Sequence, residues 1–124
     1  MTFTAQLPAT MKVWACRAYG GPDVLALEER RVPKPKDDEV LVKIRATTVA
    51  SADMRIRSMK LPRGFGLLGR LALGFTKPRK PVLGTEFSGV VAAVGKSVTG
   101  FKPGDAVIGF PGGAMGCHAE YRVM

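Results

Sequence analysis

Glu39-Val40-Leu41-Val42-Lys43-Ile44-Arg45-Ala46-Thr47-Thr48-Val49 is the stretch on which the fold turns. Val40, Val42, Ile44 and Ala46 alternate with Leu41, Lys43, Arg45 and Thr47, and a period of two places one set on a buried sheet face. The spacing predicts a strand over 39–49. Upstream, residues 12–18 and 24–30 flank Gly20-Gly21-Pro22-Asp23, where glycine supplies positive φ and proline a fixed φ, so a hairpin is expected. Pro33-Lys34-Pro35 cannot donate ladder hydrogen bonds and reads as an edge or extended connector. Downstream, residues 87–94, 105–110 and 118–123 read as three further strands, with Pro103-Gly104-Asp105 a turn before the second. Ser51 as N-cap, with Asp53 in the first turn, predicts a short helix over 52–59; a second helical stretch is expected over 67–73. Many short strands between turns predict a mainly β fold, a partly closed barrel with short helices.

Size and composition narrow the classes. The chain has 124 residues and 13.3 kDa, room for one domain with a core and too little for a second, nucleotide-binding one. Hydrophobic residues make up 46% and charged residues 23%, which places it among globular chains rather than disordered or fibrous ones. Cys16 and Cys117 are too few for a disulfide framework or a four-cysteine zinc ribbon, so a reducing, cytoplasmic setting is expected. Residues 1–10 carry neither the basic nor the apolar region of a secretory signal and read as an N-terminal extension to a domain over 11–124. The most apolar run, residues 65–75, is broken by Arg70 and falls short of the roughly 20 residues of a membrane span.

The net charge of +9 is concentrated in one place. Eight of the nineteen cations lie between Arg55 and Lys80 without a single acid, while the rest of the chain sets eleven cations against ten acids. Few aromatic stacking residues and no binding motif accompany this charge, which argues against nucleic acid. A solvated, basic insertion or attraction of an anionic dinucleotide accounts for it equally well.

Several motifs dissolve on inspection. Gly64-Phe65-Gly66-Leu67-Leu68-Gly69 spells the dinucleotide fingerprint G-x-G-x-x-G, but Pro62 and Arg63 stand where a buried strand must deliver the loop, and Pro78 and Pro81 block a βαβ unit. The second glycine cluster, residues 109–116, fails the spacing and reads as a loop between strands. Cys117-His118 offers two zinc-ligand types, yet neighbours on a strand point to opposite faces and at least two further ligands are missing. The same alternation separates thiol from imidazole for nucleophilic catalysis. Asp53 and Arg57 are i, i+4 neighbours and read as a surface ion pair; Glu86 reads as a structural hydrogen-bonding group.

Taken together, Met11-Lys12-Val13, Tyr19-Gly20-Gly21-Pro22-Asp23-Val24-Leu25, Glu39-Val40-Leu41-Val42-Lys43-Ile44, Leu83-Gly84-Thr85-Glu86-Phe87-Ser88-Gly89-Val90-Val91, Phe101-Lys102-Pro103-Gly104-Asp105-Ala106-Val107-Ile108-Gly109 and Ala119-Glu120-Tyr121 resemble the medium-chain dehydrogenase/reductase superfamily. The resemblance covers nearly the whole chain after residue 10. It is to the N-terminal GroES-like domain of the zinc-free quinone oxidoreductase branch. It implies a partly closed GroES-like barrel followed in the parent protein by a Rossmann domain, absent from this chain, that carries most of the NADPH or NADH site. The implied reaction is metal-free hydride transfer to a quinone or an α,β-unsaturated carbonyl, acceptors electron-poor enough to dispense with a Lewis acid. The positions of the family's zinc ligands are similar to Ala50 and Thr85 here, so no zinc is implied. By position Ala50, Ser51 and Asp53 would face the nicotinamide or the acceptor, with Arg55 and the 61–75 flap nearby. The resemblance also implies a homodimeric parent and a chain that is inactive by itself. Two alternatives stand beside it: an autonomous binding module using the basic flap on an acidic partner or anionic surface, and a zinc-dependent alcohol dehydrogenase domain.

Overall fold

The computed structural model describes residues 6–124. Its elements are β1 (Thr10–Cys16), β2 (Leu25–Arg31), β3 (Val40–Thr47), α1 (Ser51–Ser58), α2 (Gly66–Leu73), β4 (Phe87–Val94), β5 (Ala106–Gly109) and β6 (Tyr121–Val123). Short 3-10 turns occupy Pro22–Val24 and Gly112–Ala114. The fold is mainly β, as the turn punctuation predicts.

β1 and β2 form the expected antiparallel hairpin, in register from Thr10 opposite Arg31 to Cys16 opposite Leu25. The other strands form one antiparallel sheet in the order β5-β4-β3-β6. Two isolated bridges, Val13 to Ala119 and Ala15 to Val82, tie the hairpin to that sheet. They are secured by Trp14 N–H to the His118 carbonyl at 2.9 Å and Cys16 N–H to the Pro81 carbonyl at 2.6 Å. Closure is therefore partial: two sheets meet through bridges rather than one ladder running round a barrel.

β3 follows its predicted alternation only in part. Val42 faces the core, but Leu41 on the other face is equally buried, because both faces are covered at that end. Beyond Ile44 the period breaks. Ile44 pairs with Gly89 and Ala46 with Ser88, so Arg45 is an extra residue in a bulge, and Ala46 turns out to the surface. β5 and β6 are shorter than the alternation suggests; at β6 residues 118–120 turn toward β1, with Glu120 Oε1 accepting from Lys12 N–H at 2.7 Å, although the Glu120 carbonyl still accepts from Ile44 N–H of β3 at 2.8 Å.

The core lies in two clusters. Cys16, Leu83 and Met115 pack with Val24, Leu25 and Ile56; Val42, Phe87 and Cys117 pack with Val40, Ile44 and Val107. Both cysteines are free thiols inside these clusters, and burial pushes each above the usual thiol range. β1 takes in Thr10, the last residue of the expected extension, and the Ala9 carbonyl accepts from Val32 N–H. Residues 1–5 of that extension lie outside the described residues.

Ser51 does not cap α1. Ala50 stands at the N-cap, extended at φ −92°, ψ 167°, and Ser51 is the first helical residue. The reason is that Asp53 reaches back to accept from Ala50 N–H, half of a capping box, so the terminus needs no hydroxyl. α2 begins at Gly66 inside the G-x-G-x-x-G run, after a turn closed by Phe65 N–H to the Pro62 carbonyl and with no strand leading into it.

Candidate active site

The residues at the end of β3 and the start of α1 border an open cleft of about 980 Å³. Strand geometry builds its apolar wall. Val13 and Ala15 of β1 point into the core, so Lys12 and Trp14 point out, and Trp14 pairs across the hairpin with Leu27 on the same face. Leu25, Ile44, Val49, Met54 and Leu83 extend the apolar lining. The β3 bulge lets four consecutive residues, 44–47, reach this wall, which strict alternation forbids. Lys12, Arg45 and Arg57 are its cations.

One carboxylate organises the polar end. Asp53 is 2% exposed and accepts from Ala50 N–H at 2.8 Å on Oδ2 and from Gly84 N–H at 3.0 Å on Oδ1. It thus fastens the start of α1 to the loop that feeds β4. It makes no pair with Arg57, whose guanidinium instead donates to the Gly20 carbonyl at 3.0 Å. The surface ion pair expected from the i, i+4 spacing is replaced because Asp53 lies on the helix face turned to the core and two backbone donors satisfy it there.

His118 stands beside this carboxylate, its Nε2 3.9 Å from Asp53 Oδ2 and 2.8 Å from the Thr48 carbonyl. A carbonyl can only accept, so Nε2 carries the hydrogen and Nδ1 is the free nitrogen of the neutral ring. Nδ1 makes no hydrogen bond among the described residues. The ring, 12% exposed, lines the cleft. Gly84 sets the other edge of the ring. Its φ is +97°, and a Cβ there would lie 2.6 Å from His118 Cδ2 and 2.9 Å from Cys117 Cβ. Only glycine accepts both the backbone angle and the close approach.

Of the residues the resemblance points to, Asp53 lines the cleft; Ala50 lies at the α1 N-cap and contributes its N–H; Ser51 and Arg55 are solvent-exposed and outside the cleft wall. Asp53 ties the Ala50 and Gly84 backbones to one side chain, so the neighbourhoods of positions 50 and 85 do converge. Glu86 accepts from the Thr48 hydroxyl at 2.8 Å, and its own carbonyl accepts from Thr47 Oγ1 at 2.8 Å, clamping the loop after β3 to the start of β4. Sequence reasoning missed His118, Trp14 and Arg57 as cleft residues. Cys117 packs in the core and His118 lines the cleft, but neither lies in a strand: β6 begins only at Tyr121, so contacts with distant segments and not strand alternation part the two side chains. The 65-residue interval between Asp53 and His118 offers no sequence signal of their proximity. Among the described residues no group of three or more His, Cys, Asp or Glu side chains gathers as a metal site.

Comparison with known proteins fits this geometry to a family. The alcohol dehydrogenase GroES-like domain matches residues 36–124. The chain is 38% identical over 104 residues to 2-methylene-furan-3-one reductase of Solanum lycopersicum, covering 83% of the chain and 24% of that protein. It is 35% identical over 108 residues to the chloroplastic NADPH-dependent alkenal/one oxidoreductase of Arabidopsis thaliana, covering 86% and 25%. The crystal structure of the quinone oxidoreductase from Coxiella burnetii superposes with a TM-score of 0.73 at 28% identity, over 92% of this chain and 34% of that one. The chain spans about a quarter of the length of these curated relatives. It belongs to the alcohol dehydrogenase GroES-like domain family, as an N-terminal domain of the medium-chain dehydrogenase/reductase superfamily of quinone oxidoreductase type.

Proposed function

We propose that this chain is the substrate-side domain of an oxidoreductase that delivers a hydride from NADPH or NADH to a quinone or an α,β-unsaturated carbonyl without a metal, and that the chain by itself does not turn over. The observation that carries the reading is an apolar cleft with a single oriented imidazole at its polar end. Relatives named as alkenal/one and quinone oxidoreductases support the substrate class.

The residues present suit the nicotinamide end of such a cofactor: a flat, weakly polar ring matches an apolar wall bearing Trp14, Leu27 and Val49. When bound, the reduced nicotinamide supplies the hydride. This chain's own residues orient and exclude water. The apolar wall holds a conjugated acceptor flat and dry, which raises the share of productive encounters. As hydride reaches carbon, the electron pair moves onto the acceptor oxygen. His118, when doubly protonated, donates its Nδ1 proton to that oxygen and returns to the neutral ring with Nε2–H still on the Thr48 carbonyl. Asp53 and Gly84 position that ring. The metal-free part of the reading rests on Ala50 and Thr85 at the family's ligand positions and on Cys117 turned into the core away from His118.

The test is the full-length product of the parent gene, assayed for NADPH and NADH oxidation against a panel of quinones and enones with a chelator present. Turnover that survives chelation and drops at least about tenfold in kcat with His118→Phe is expected for a lost proton donor. Absence of turnover with either nicotinamide, or its loss to the chelator, overturns the reading.

A further inference from the structure

α2 turns its largest apolar side chains outward. Facing the body are Gly69, where a Cβ would meet Leu61, and the buried Gly74, whose carbonyl accepts from the Tyr19 hydroxyl at 2.7 Å. Leu67, Leu68 and Leu71 are 63%, 59% and 51% exposed, and the flanking Phe65 and Phe75 are more than half exposed. This is a built surface rather than a loose loop. Arg79 donates to the Leu71 and Ala72 carbonyls at the end of α2, and Arg70 donates to the Phe75 carbonyl while lying over the Tyr19 ring.

Five such side chains within eleven residues leave a contiguous stretch of apolar surface in water, which soluble chains ordinarily cover. The charge around it says what covers it. Eight cations lie between Arg55 and Lys80, and no acid stands anywhere from residue 54 to 85. A second copy of the chain would bring the same charge against itself. A nucleic acid would take the cations but has no place for three leucines, since its strands are held by phosphate contacts and aromatic stacking. One surface accepts both parts at once. At an anionic bilayer, leucine and phenylalanine enter the headgroup–acyl boundary while lysine and arginine stay at the phosphates.

We propose that α2 and its flanking loops seat this protein on an anionic lipid bilayer, with the helix lying in the plane of the interface. Eight residues make a helix of about 12 Å, far too short to span a bilayer. The proposal is independent of the hydride-transfer reading, since it needs neither the cleft nor a cofactor.

The experiment is cosedimentation of the full-length product of the parent gene, with the 124-residue chain beside it, on vesicles of phosphatidylcholine alone or with about one third phosphatidylglycerol, at low and high salt; capture of the short chain but not of the full-length protein overturns the proposal. Capture at least about tenfold greater on the anionic vesicles, and falling severalfold at about 0.5 M salt, is expected for several cations at the surface. Leu68→Ser with Leu71→Ser should lower capture at least about fivefold, and Arg63→Glu with Lys77→Glu about tenfold or more. These side chains are exposed, so circular dichroism should be unchanged; the comparison of vesicle compositions on the unaltered chain stands whatever the variants do. Equal capture on neutral vesicles, no capture on anionic ones, or indifference to the leucine substitutions overturns the proposal. So does a stable dimer in sedimentation that the leucine substitutions dissolve, or retention on single-stranded RNA that exceeds retention on anionic vesicles.

Discussion

Replacing Asp53 with alanine withdraws one acceptor from two backbone donors at once. The Ala50 and Gly84 N–H groups lie 2.8 and 3.0 Å from its two oxygens, and at 2% exposure water has no ready access to replace it. A hydrogen bond to a charged acceptor contributes about 1.5–3 kcal/mol, so two lost together, offset by the relief of burying a carboxylate, cost about 3–5 kcal/mol. Asp53→Asn separates shape from chemistry. Its single carbonyl oxygen serves one donor while its amide nitrogen faces the other, for a loss of about 1–3 kcal/mol. Urea unfolding followed by far-ultraviolet circular dichroism reads both. With a denaturant slope of about 1–3 kcal/mol/M, the alanine variant should unfold roughly 1–5 M earlier, and asparagine should fall between it and the parent. Amide exchange at Gly84 should rise in the alanine variant. An alanine midpoint within about 0.3 M of the parent, or asparagine costing as much as alanine, would refute the clamp role of this carboxylate.

Three further outcomes follow from the same geometry. Gly84→Ala meets both a positive φ and contacts under 3 Å to His118 and Cys117, and should cost about 2–4 kcal/mol in the same urea assay while shifting the His118 ring resonances; a change below about 0.5 kcal/mol contradicts it. Burial raises Cys16 and Cys117 above the ordinary thiol value of 9.0, so the unfolded chain ionises first: their contribution to stability is whole below pH 9.0 and falls as pH climbs from there toward the folded values, which thermal melts across that range should show and a flat profile would deny. Arg17 holds the Glu28 carboxylate below its ordinary value of 4.5 through two hydrogen bonds at 2.7 and 2.9 Å, so that pair supports the fold above pH 4.5 and ceases to as pH falls through the folded value; Arg17→Met should flatten this acid limb, and an unchanged limb rules the pair out as its source.

The strands were legible because they are local. Alternation marks Val42 as inward, and turn residues around Gly20 to Asp23 mark the hairpin, since both signals act over a few residues. Rejection of the G-x-G-x-x-G run was equally local: proline and charge before Gly64 preclude the strand such a loop needs, and none leads into α2. What escaped reading depended on partners far along the chain. The β3 bulge at Arg45 arises from pairing with β4, and nothing within residues 40–47 announces it. Asp53 looked like half of an exposed ion pair because Arg57 is its neighbour in sequence, whereas Gly84, one of its two backbone donors, is 31 residues away.

Residue order alone determined that this is a mainly β domain and that its basicity is confined to one segment; each is a matter of chemistry repeated or clustered along the backbone. Tertiary structure decided the rest: which end of β3 becomes a cleft, which nitrogen of His118 is held, and which face of α2 is left in water. Those outcomes follow from burial and from hydrogen bonds between distant segments. Their free energy exists only once the segments have met, so no local pattern carries it.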